Sequence, residues 1–596
     1  MNEDAFEVPE GNEYRYLVQE EGEEEIQYCR RRNYVNPLLV LSRKCIVLIS
    51  LGVASLLFLA GYLAYVAQTL PHGLVDVETA CGWLRGQWKH DAYSFKGIPY
   101  AVPPLGKRRW QPPADLQKEG KCWSGVRDAT HFRSMCAQVR PLTKDGKVMG
   151  QEDCLHLSVW TPSLNPPAPL PVMVWIHGGY LHMLSGQEQG YSPTEKLAAQ
   201  TQAVYVSFNY RLNAFGFMAL EMLREGSPHN TSGNYGFMDQ IAALNWVQKN
   251  IGVFGGDPGK VTIFGQSSGG TSVWALMVSP LAKGLFHRAI DMSGSYIFDA
   301  SLESAEKDNL EFLRRTECKD AVCLRGLTIG QVLKAIPWQD YPSWAADDLV
   351  DLPVKGKSVG PVAVVDGQVI TGPPFKVWES GEGFNDIPFL VGTTEQEIDF
   401  SPPYDNISTW KWEDYSWHVT NKLTPFGENL TAEALRLYPS KAPCPTSTRC
   451  PERLYTTMVS DMRVTCPNND LAKRAADALK SPVYRYLVNY TPSRQANISD
   501  FPFPARFSFH LLDSLAFFGG LEAALGELAP SDIAFQELVT HYFLHFAREG
   551  KMPKEWTKFP EGTALLNQNF SVAHSPSAEH CKLWEENGFF SYAWIN

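Results

Sequence analysis

The stretch KVTIFGQSSGGTSVWAL, residues 260–276, decides the fold. Its first part is an apolar run typical of a buried strand, and its last part has the composition of a buried helix. Between them lies a Gly-x-Ser-x-Gly pattern, Gly265-Gln266-Ser267-Ser268-Gly269. In this strand–turn–helix setting, two glycines permit a sharp turn that exposes the hydroxyl of the central serine. We therefore expect Ser267 at the carboxyl end of a strand, beside the first N–H groups of a helix.

Apolar runs on both sides of this turn predict further buried strands. They are PVMVWIHGG (171–179), AVYVSFNYRL (203–212), FLVGT (389–393) and PVYRYLVNY (482–490). The segment YGFMDQIAALNWVQKNI (235–251) has apolar residues at helical spacing instead. Strands that alternate with helices predict an α/β architecture, with a mainly parallel sheet covered by helices on both faces. We expect one large domain over residues 73–596.

A serine in such a turn indicates nucleophilic chemistry. The hydroxyl of Ser267 becomes a nucleophile only when a base takes its proton, and the oxyanion that forms needs hydrogen-bond donors. The segment WIHGGY (175–180) follows a predicted strand, and its glycines allow the backbone N–H groups to turn inward. This segment is the expected source of the donors.

The order of the motifs resembles that of the type-B carboxylesterase and cholinesterase family of α/β-hydrolases. The similarity covers essentially everything from residue 75 to the end of the chain, which implies an α/β-hydrolase fold with a large, mostly parallel central sheet flanked by helices. The segments that carry it are FKGIPYAVPPLGKRRWQPP (95–113), EDCLHLSVWTP (152–162), WIHGGY (175–180), FNYRLNAFGF (208–217) and GNYGFMDQIAALNWVQKNIGVFGGDPGKVTIFGQSSGG (233–270).

The resemblance implies a catalytic triad in the order Ser, acid, His. The acid falls in VGTTEQEIDF (391–400), where alignment from the glycine favours Glu397, with Glu395 and Asp399 as neighbouring alternatives. The base falls in FHLLDSLAFFGG (509–520), which is similar to the family's histidine segment and supplies His510. Such a triad hydrolyses carboxylic esters through an acyl-enzyme, and it requires neither a cofactor nor a metal ion.

Two positions depart from the family pattern. The oxyanion hole implied by the resemblance consists of the backbone N–H groups of Gly179, Tyr180 and Ser268, but the family usually has glycine or alanine where this chain has Tyr180. Gln266 stands where the family usually has glutamate, which removes one negative charge beside Ser267. We expect activity with a narrowed range of substrate sizes.

The cysteines predict disulfide bonds in an oxidising compartment. Of twelve cysteines, only Cys29 and Cys45 precede residue 70, and the other ten form an even set. The resemblance implies the pairs Cys136–Cys154, Cys318–Cys323 and Cys466–Cys581. Proximity in the sequence suggests that the remaining four pair as Cys81–Cys122 and Cys444–Cys450.

Charge and composition limit the classes of partner. The chain of 596 residues carries 53 basic and 65 acidic residues, a net charge of −12, so no basic surplus is available for nucleic acid. Residues 1–44 hold ten carboxylates and six basic residues. This composition predicts a disordered, acidic arm.

The segment CIVLISLGVASLLFLAGYLAYVA, residues 45–67, has no charged residue. At 1.5 Å per residue it is long enough for one transmembrane helix, longer and further from the start than a cleaved signal peptide. Arg30, Arg31, Arg32, Arg43 and Lys44 all precede it, which predicts a cytoplasmic arm and an extracellular or lumenal main domain. The chain would then be a single-pass type II membrane protein with a signal anchor.

Sequons agree with this topology, because all of them follow the apolar segment. They place candidate N-glycosylation sites at Asn230, Asn406, Asn429, Asn489, Asn497 and Asn569.

Two functions of different classes follow. The first is a serine hydrolase that acts on small-molecule carboxylic esters outside the cell. A cholinesterase is less well supported, since the loop AQVRPLTKDGKVMGQED (137–153) has no aromatic side chain to hold a quaternary ammonium. The alternative is a cell-surface adhesion protein that resembles neurotactin or the neuroligins, with an extracellular protein partner and little or no esterase activity. The oligomeric state stays open.

Overall fold

The computed structural model describes most of the chain after residue 72 and a few short stretches before it. The described residues are 13–15, 18–20, 23–25, 28–30, 51–58, 73–140, 146–225, 227–296, 298–337, 363–399, 406–440, 444, 446, 448–498 and 504–594. The chain divides into two compact units, Met1–Pro71 and His72–Asn596.

The first unit contains short antiparallel strand pairs. Val18–Glu20 pairs with Glu23–Glu25, and Glu13–Arg15 pairs with Tyr28–Arg30. Residues 51–58 are helical. Within the described residues, no helix has both the length and the apolar character needed to cross a membrane; most of the predicted span 45–67 lies outside them.

The second unit is built on one large mixed sheet. Its strands, numbered here in chain order, are β1 Leu74–Thr79, β2 Gly82–Lys89, β3 Ala92–Pro99, β4 Val126–Asp128, β7 His156–Thr161, β8 Leu170–Ile176, β9 Val204–Phe208, β10 Gly256–Gln266, β11 Arg288–Met292, β12 Phe389–Thr394, β13 Val483–Val488, β14 Thr563–Leu566 and β15 Phe570–Ala573. The short strands β5 (Gln138–Val139) and β6 (Val148–Met149) pair apart from it.

The strand order explains where the site lies. The order is β15-β14-β13-β12-β11-β10-β8-β9-β7-β3-β2-β1, with β4 beside β2. The seven neighbouring strands β8 to β14 run parallel to one another. The strands β1, β2, β3 and β7 follow one another by antiparallel pairing, β7 pairs antiparallel with β9, and β15 pairs antiparallel with β14. The chain moves to one side of β8 to form β9 and then to the other side to form β10. Such a switch point is where α/β sheets open a crevice at the carboxyl ends of their strands.

Helices connect the strands and cover the sheet. They are α1 Glu195–Thr201, α2 Asn213–Phe217, α3 Glu221–Arg224, α4 Tyr235–Asn250, α5 Ser268–Met277, α6 Leu302–Asp308, α7 Leu310–Thr316, α8 Ala321–Gly326, α9 Ile329–Ala335, α10 Pro374–Ser380, α11 Trp412–Leu423, α12 Glu428–Leu437, α13 Cys450–Ser460, α14 Cys466–Ala478, α15 Leu512–Phe518, α16 Leu521–Leu525, α17 Pro530–Glu549 and α18 Ala578–Glu586.

Strand β8 shows why both faces of the sheet are apolar. Val174 and Ile176 pack into one hydrophobic core, which contains side chains of α4 and α5. Met173 and Trp175 point to the opposite face and pack into a second core with α15 and α17. Successive side chains of a strand alternate between faces, so a strand buried on both sides has a continuous apolar sequence. The α/β architecture expected from the sequence is confirmed.

The five predicted disulfide bonds are all present. Cys81–Cys122, Cys136–Cys154, Cys318–Cys323, Cys444–Cys450 and Cys466–Cys581 are bonded. Cys466–Cys581 spans 115 residues and joins the start of α14 to α18, so it ties the end of the chain to the helical layer near β12 and β13.

Candidate active site

Ser267 is the single residue between the end of β10 and the start of α5. Its backbone dihedrals, φ 59° and ψ −128°, lie outside the regions that side-chain-bearing residues prefer. The N–H of Ser267 donates to the carbonyl of Met292 at the end of β11 over 2.8 Å, and its own carbonyl accepts from the N–H of Thr271. The neighbouring strand and the new helix thus hold the turn in a strained conformation, as a nucleophile elbow requires.

The glycines of the turn are required by space. A Cβ at Gly265 would lie 2.3 Å from the carbonyl oxygen of Gly269, and one at Gly269 would lie 2.1 Å from that of Ile176. Neither distance is open to a real side chain. The close approach of α5 to β8 and β10 therefore explains the Gly-x-Ser-x-Gly spacing.

Glu397 and His510, which are distant in sequence, meet beside this turn. Nδ1 of His510 lies 2.5 Å from Oε2 of Glu397. The other carboxylate oxygen, Oε1, accepts from Oγ of Ser293 at 2.6 Å and from the N–H of Thr394 at 2.7 Å. Both oxygens are satisfied and Glu397 is fully buried, so its position is fixed.

The two alternative acids point elsewhere. Oε2 of Glu395 accepts from Arg453 at 2.6 Å. Asp399 accepts from the backbone N–H groups of Arg506 and Phe507, and its side chain pairs with the guanidinium of Arg506 at 3.2 Å. Of the three carboxylates in this segment, Glu397 is the one that contacts His510.

The imidazole of His510 has a second partner. Nε2 of His510 lies 2.8 Å from Nε2 of Gln266, the residue that precedes Ser267. Its ring also meets the ring of Trp594 edge to face, with centroids 5.2 Å apart. Gln266, Ser267 and His510 are all at least 96% buried, so the site is largely closed to solvent.

The predicted oxyanion loop follows β8 and packs against the elbow. Gly179 and Tyr180 both have positive φ, 106° and 58°. The carbonyl of Gly179 accepts from the N–H groups of His182 and Met183, and the N–H of Leu181 donates to Oγ of Ser268 at 3.1 Å. A Cβ at Gly178 would lie 3.0 Å from Cβ of Ser267. The structure thus brings Gly179, Tyr180 and Ser268 together next to Ser267.

Two further buried carboxylates, Asp291 and Asp513, lie near the acid Glu397. Burial raises the pKa of Asp291 to about 7 and that of Asp513 to about 6. Asp513, which lies three residues after His510, accepts from the hydroxyl of Tyr486 at 2.6 Å. Burial lowers the pKa of the neighbouring Arg485 to about 10. Asp291, Asp513 and Arg485 all interact electrostatically with Glu397.

Three residues that contact the site were not predicted from the sequence. Ser293 holds Glu397, Trp594 packs on His510, and the hydroxyl of Tyr191 donates to Oε1 of Gln266 at 2.6 Å. Ser293 has a positive φ of 56°, but no pattern in the sequence marks it. Each of the three residues is far in sequence from its partner in the site. The pattern of apolar residues predicts helices and strands, but it does not predict such long-range contacts.

The model of the carboxylesterase family matches residues 74–584. The chain belongs to the carboxylesterase family, a family of carboxylic ester hydrolases.

Individual relatives match most of the chain. Liver carboxylesterase of Sus scrofa is 30% identical over 86% of this chain and 92% of its own length. Neurotactin of Drosophila melanogaster is 31% identical over 78% of this chain and 54% of its own length. A solved structure of a PNB esterase superposes with a TM-score of 0.67 at 28% identity, covering 85% of this chain and 99% of that one.

Proposed function

We propose that the protein hydrolyses carboxylic esters with Ser267 as the nucleophile, His510 as the general base and Glu397 as the acid of the triad. In this mechanism His510 takes the proton of Ser267 as its oxygen attacks the ester carbonyl. Glu397 keeps the proton of the imidazole on Nδ1 and stabilises the imidazolium. His510 then protonates the leaving alcohol, and water repeats the same steps on the acyl-enzyme.

The observation that carries this proposal is the 2.5 Å contact between His510 and Glu397 beside the strained turn of Ser267. A buried carboxylate on one ring nitrogen leaves the other nitrogen as the base. A histidine buried only for packing would not need a carboxylate that two further donors hold in place.

The oxyanion is proposed to bind the N–H groups of Gly179, Tyr180 and Ser268. Each such donor contributes about 10²–10³ in turnover in enzymes of this kind. Tyr180 retains its N–H, but its side chain replaces a glycine or alanine of the family. We expect it to favour small acyl groups.

We further propose that the catalytic domain lies outside the cell, on a single-pass type II anchor over residues 45–67. Five disulfide bonds support an oxidising compartment. The six sequon asparagines are accessible to different degrees: Asn489 is half-buried, and its side chain accepts from Asn567. The exposed asparagines, Asn230, Asn406, Asn429, Asn497 and Asn569, are the better candidates for glycosylation.

The second candidate function is that of a cell-surface adhesion protein with an extracellular protein partner. The similarity to neurotactin and the replacement at Tyr180 favour it. It predicts a folded domain that binds a partner whether or not Ser267 is present.

The two candidates separate in one experiment. The full chain, purified in detergent, is assayed with p-nitrophenyl acetate and p-nitrophenyl butyrate beside Ser267→Ala and, as a matched control, Ser272→Ala. An esterase loses turnover in Ser267→Ala, keeps it in Ser272→Ala and prefers acetate. Equal background rates in all three folded proteins would contradict the esterase proposal and favour adhesion.

A further inference from the structure

Gln266 lies at the centre of a chain of hydrogen bonds that starts at the oxyanion loop and ends at the catalytic base. The N–H of Gly178 donates to Oη of Tyr191 at 3.2 Å, and that hydroxyl donates to Oε1 of Gln266 at 2.6 Å. The amide nitrogen of Gln266 then lies 2.8 Å from Nε2 of His510. No triad chemistry requires these contacts.

One arrangement of donors and acceptors gives every group along this chain a partner. A backbone N–H can only donate, so Oη of Tyr191 accepts from Gly178 and its single proton is left for Gln266. That proton fixes Oε1 of the amide toward Tyr191 and turns the NH₂ group toward His510. Burial raises the pKa of Tyr191 well above its usual value, so the hydroxyl keeps its proton.

The orientation of the amide has a consequence for His510. An NH₂ group can only donate, so Nε2 of His510 must accept, and the ring proton is on Nδ1, where Oε2 of Glu397 accepts it. Nε2 has one lone pair in the ring plane. The same lone pair must receive the proton of Ser267.

We propose that Gln266 is a positioning residue that competes with Ser267 for Nε2 of His510, so that its hydrogen bond must be released before the base can act. This inference rests on the proposed triad. Tyr191 takes part in the same arrangement, because its hydroxyl holds Oε1 of Gln266 and thereby keeps the NH₂ group directed toward the ring of His510. The close packing of Gly178, whose Cβ would lie 2.6 Å from the carbonyl oxygen of Gln266 and 2.8 Å from Oη of Tyr191, couples this arrangement to the oxyanion loop.

The substitutions Gln266→Met and Gln266→Glu distinguish competition for Nε2 of His510 from a purely structural role of Gln266. Methionine has similar length and no donor, so Nε2 becomes available to Ser267. We expect the rate of Ser267 labelling by a fluorophosphonate to rise about two- to tenfold, the value of one such hydrogen bond. Glutamate accepts from protonated Nε2–H and stabilises the imidazolium. We expect the acid limb of the pH–rate profile to move about one unit or more to higher pH.

Tyr191→Phe tests the same arrangement without changing Gln266. Without the hydroxyl, nothing fixes the NH₂ group of Gln266 toward His510, so its hydrogen bond to Nε2 is released more readily and labelling should rise in the same direction as in Gln266→Met. The matched control is Tyr205→Phe, which removes a buried hydroxyl that bonds Thr201 at 2.9 Å in the same core and away from His510. It should label at the wild-type rate.

The experiment uses the full chain, with Tm measured for every variant and the labelled peptide identified by mass spectrometry. Slower labelling in Gln266→Met and Tyr191→Phe, with an unshifted profile in Gln266→Glu, would overturn the inference and leave Gln266 a structural residue. A wild-type protein that is not labelled at Ser267 at any pH would instead overturn the proposed function, and this inference with it.

Discussion

At the scale of single residues, Glu397 shows how the surroundings of a carboxylate decide its role. Its oxygen Oε1 is occupied by two donors, Ser293 and Thr394, and only Oε2 faces His510. The polarity of these contacts fixes which ring nitrogen of His510 carries the proton. The role of Glu397 is therefore one of orientation as much as charge.

The substitution Glu397→Gln tests this directly. The amide oxygen should take the side of Ser293 and Thr394, because the N–H of Thr394 can only donate and therefore needs an acceptor. The NH₂ group would then face Nδ1 of His510 and force the proton onto Nε2, where it blocks deprotonation of Ser267. We expect kcat to fall by about 10³–10⁴ with an unchanged fold.

The control for this substitution is Glu395→Gln, two residues away. It removes an ion pair with Arg453 outside the triad and should leave kcat within about threefold of the wild type. An equal loss in both variants, measured on p-nitrophenyl acetate, would contradict the assignment of the acid.

At the scale of elements, the turn between β10 and α5 depends on contacts that only glycine allows. In Gly269→Ala the added methyl group would meet the carbonyl of Ile176 at 2.1 Å, so α5 must move away from β8. We expect a loss of about 1–3 kcal/mol in the free energy of unfolding and a large loss of activity. Gly252→Ala, where nothing lies within 4 Å of the added Cβ, is the matched control and should be neutral in Tm.

The disulfide bonds differ in what they should contribute. Cys466–Cys581 closes a loop of 115 residues, whereas Cys318–Cys323 closes one of 5. Since the stabilisation grows with the length of the loop, the double substitution Cys466→Ser and Cys581→Ser should cost about 2–5 kcal/mol and the pair at 318 and 323 clearly less. The Tm of both double variants is the measurement. A larger fall in Tm after loss of Cys318–Cys323 than after loss of Cys466–Cys581 would contradict this expectation.

The expectations from sequence were accurate for the parallel centre of the sheet and weaker at its edges. Strands β8, β9, β10, β12 and β13 are buried on both faces, which gives each of them an apolar run. The flanking strand β2, GWLRGQWK, alternates buried and exposed side chains and contains charges, so no apolar run marks it.

The same limit applies to the site. Ser267 and His510 lie in local motifs, and the alternatives to Glu397 could be separated only by its contact with the ring. Tyr191 reaches Gln266 because the loop after β8 folds back over the elbow, and no local pattern encodes that path.

At the scale of the whole molecule, the buried carboxylates make stability depend on pH. Burial raises the pKa of Asp291 to about 7, above its unfolded value of 3.8, so the folded state binds more protons between these limits. Stability is then lost as pH rises through this interval, on the order of 1 kcal/mol per pH unit for this group. In Asp291→Asn this contribution should disappear, and Tm measured from pH 4 to pH 8 should fall less steeply with rising pH than in the wild type. An identical slope would contradict it.

The central claim concerns Ser267, and the most direct measurement is the site of covalent attachment during turnover. The full chain is reacted with a fluorophosphonate ester at neutral pH, digested and analysed by mass spectrometry, with His510→Gln beside the wild type. We predict one adduct per chain, on Ser267, that forms far more slowly without His510. An adduct on Ser268 or another serine, or labelling that is independent of His510, would contradict the assignment of the nucleophile and its base.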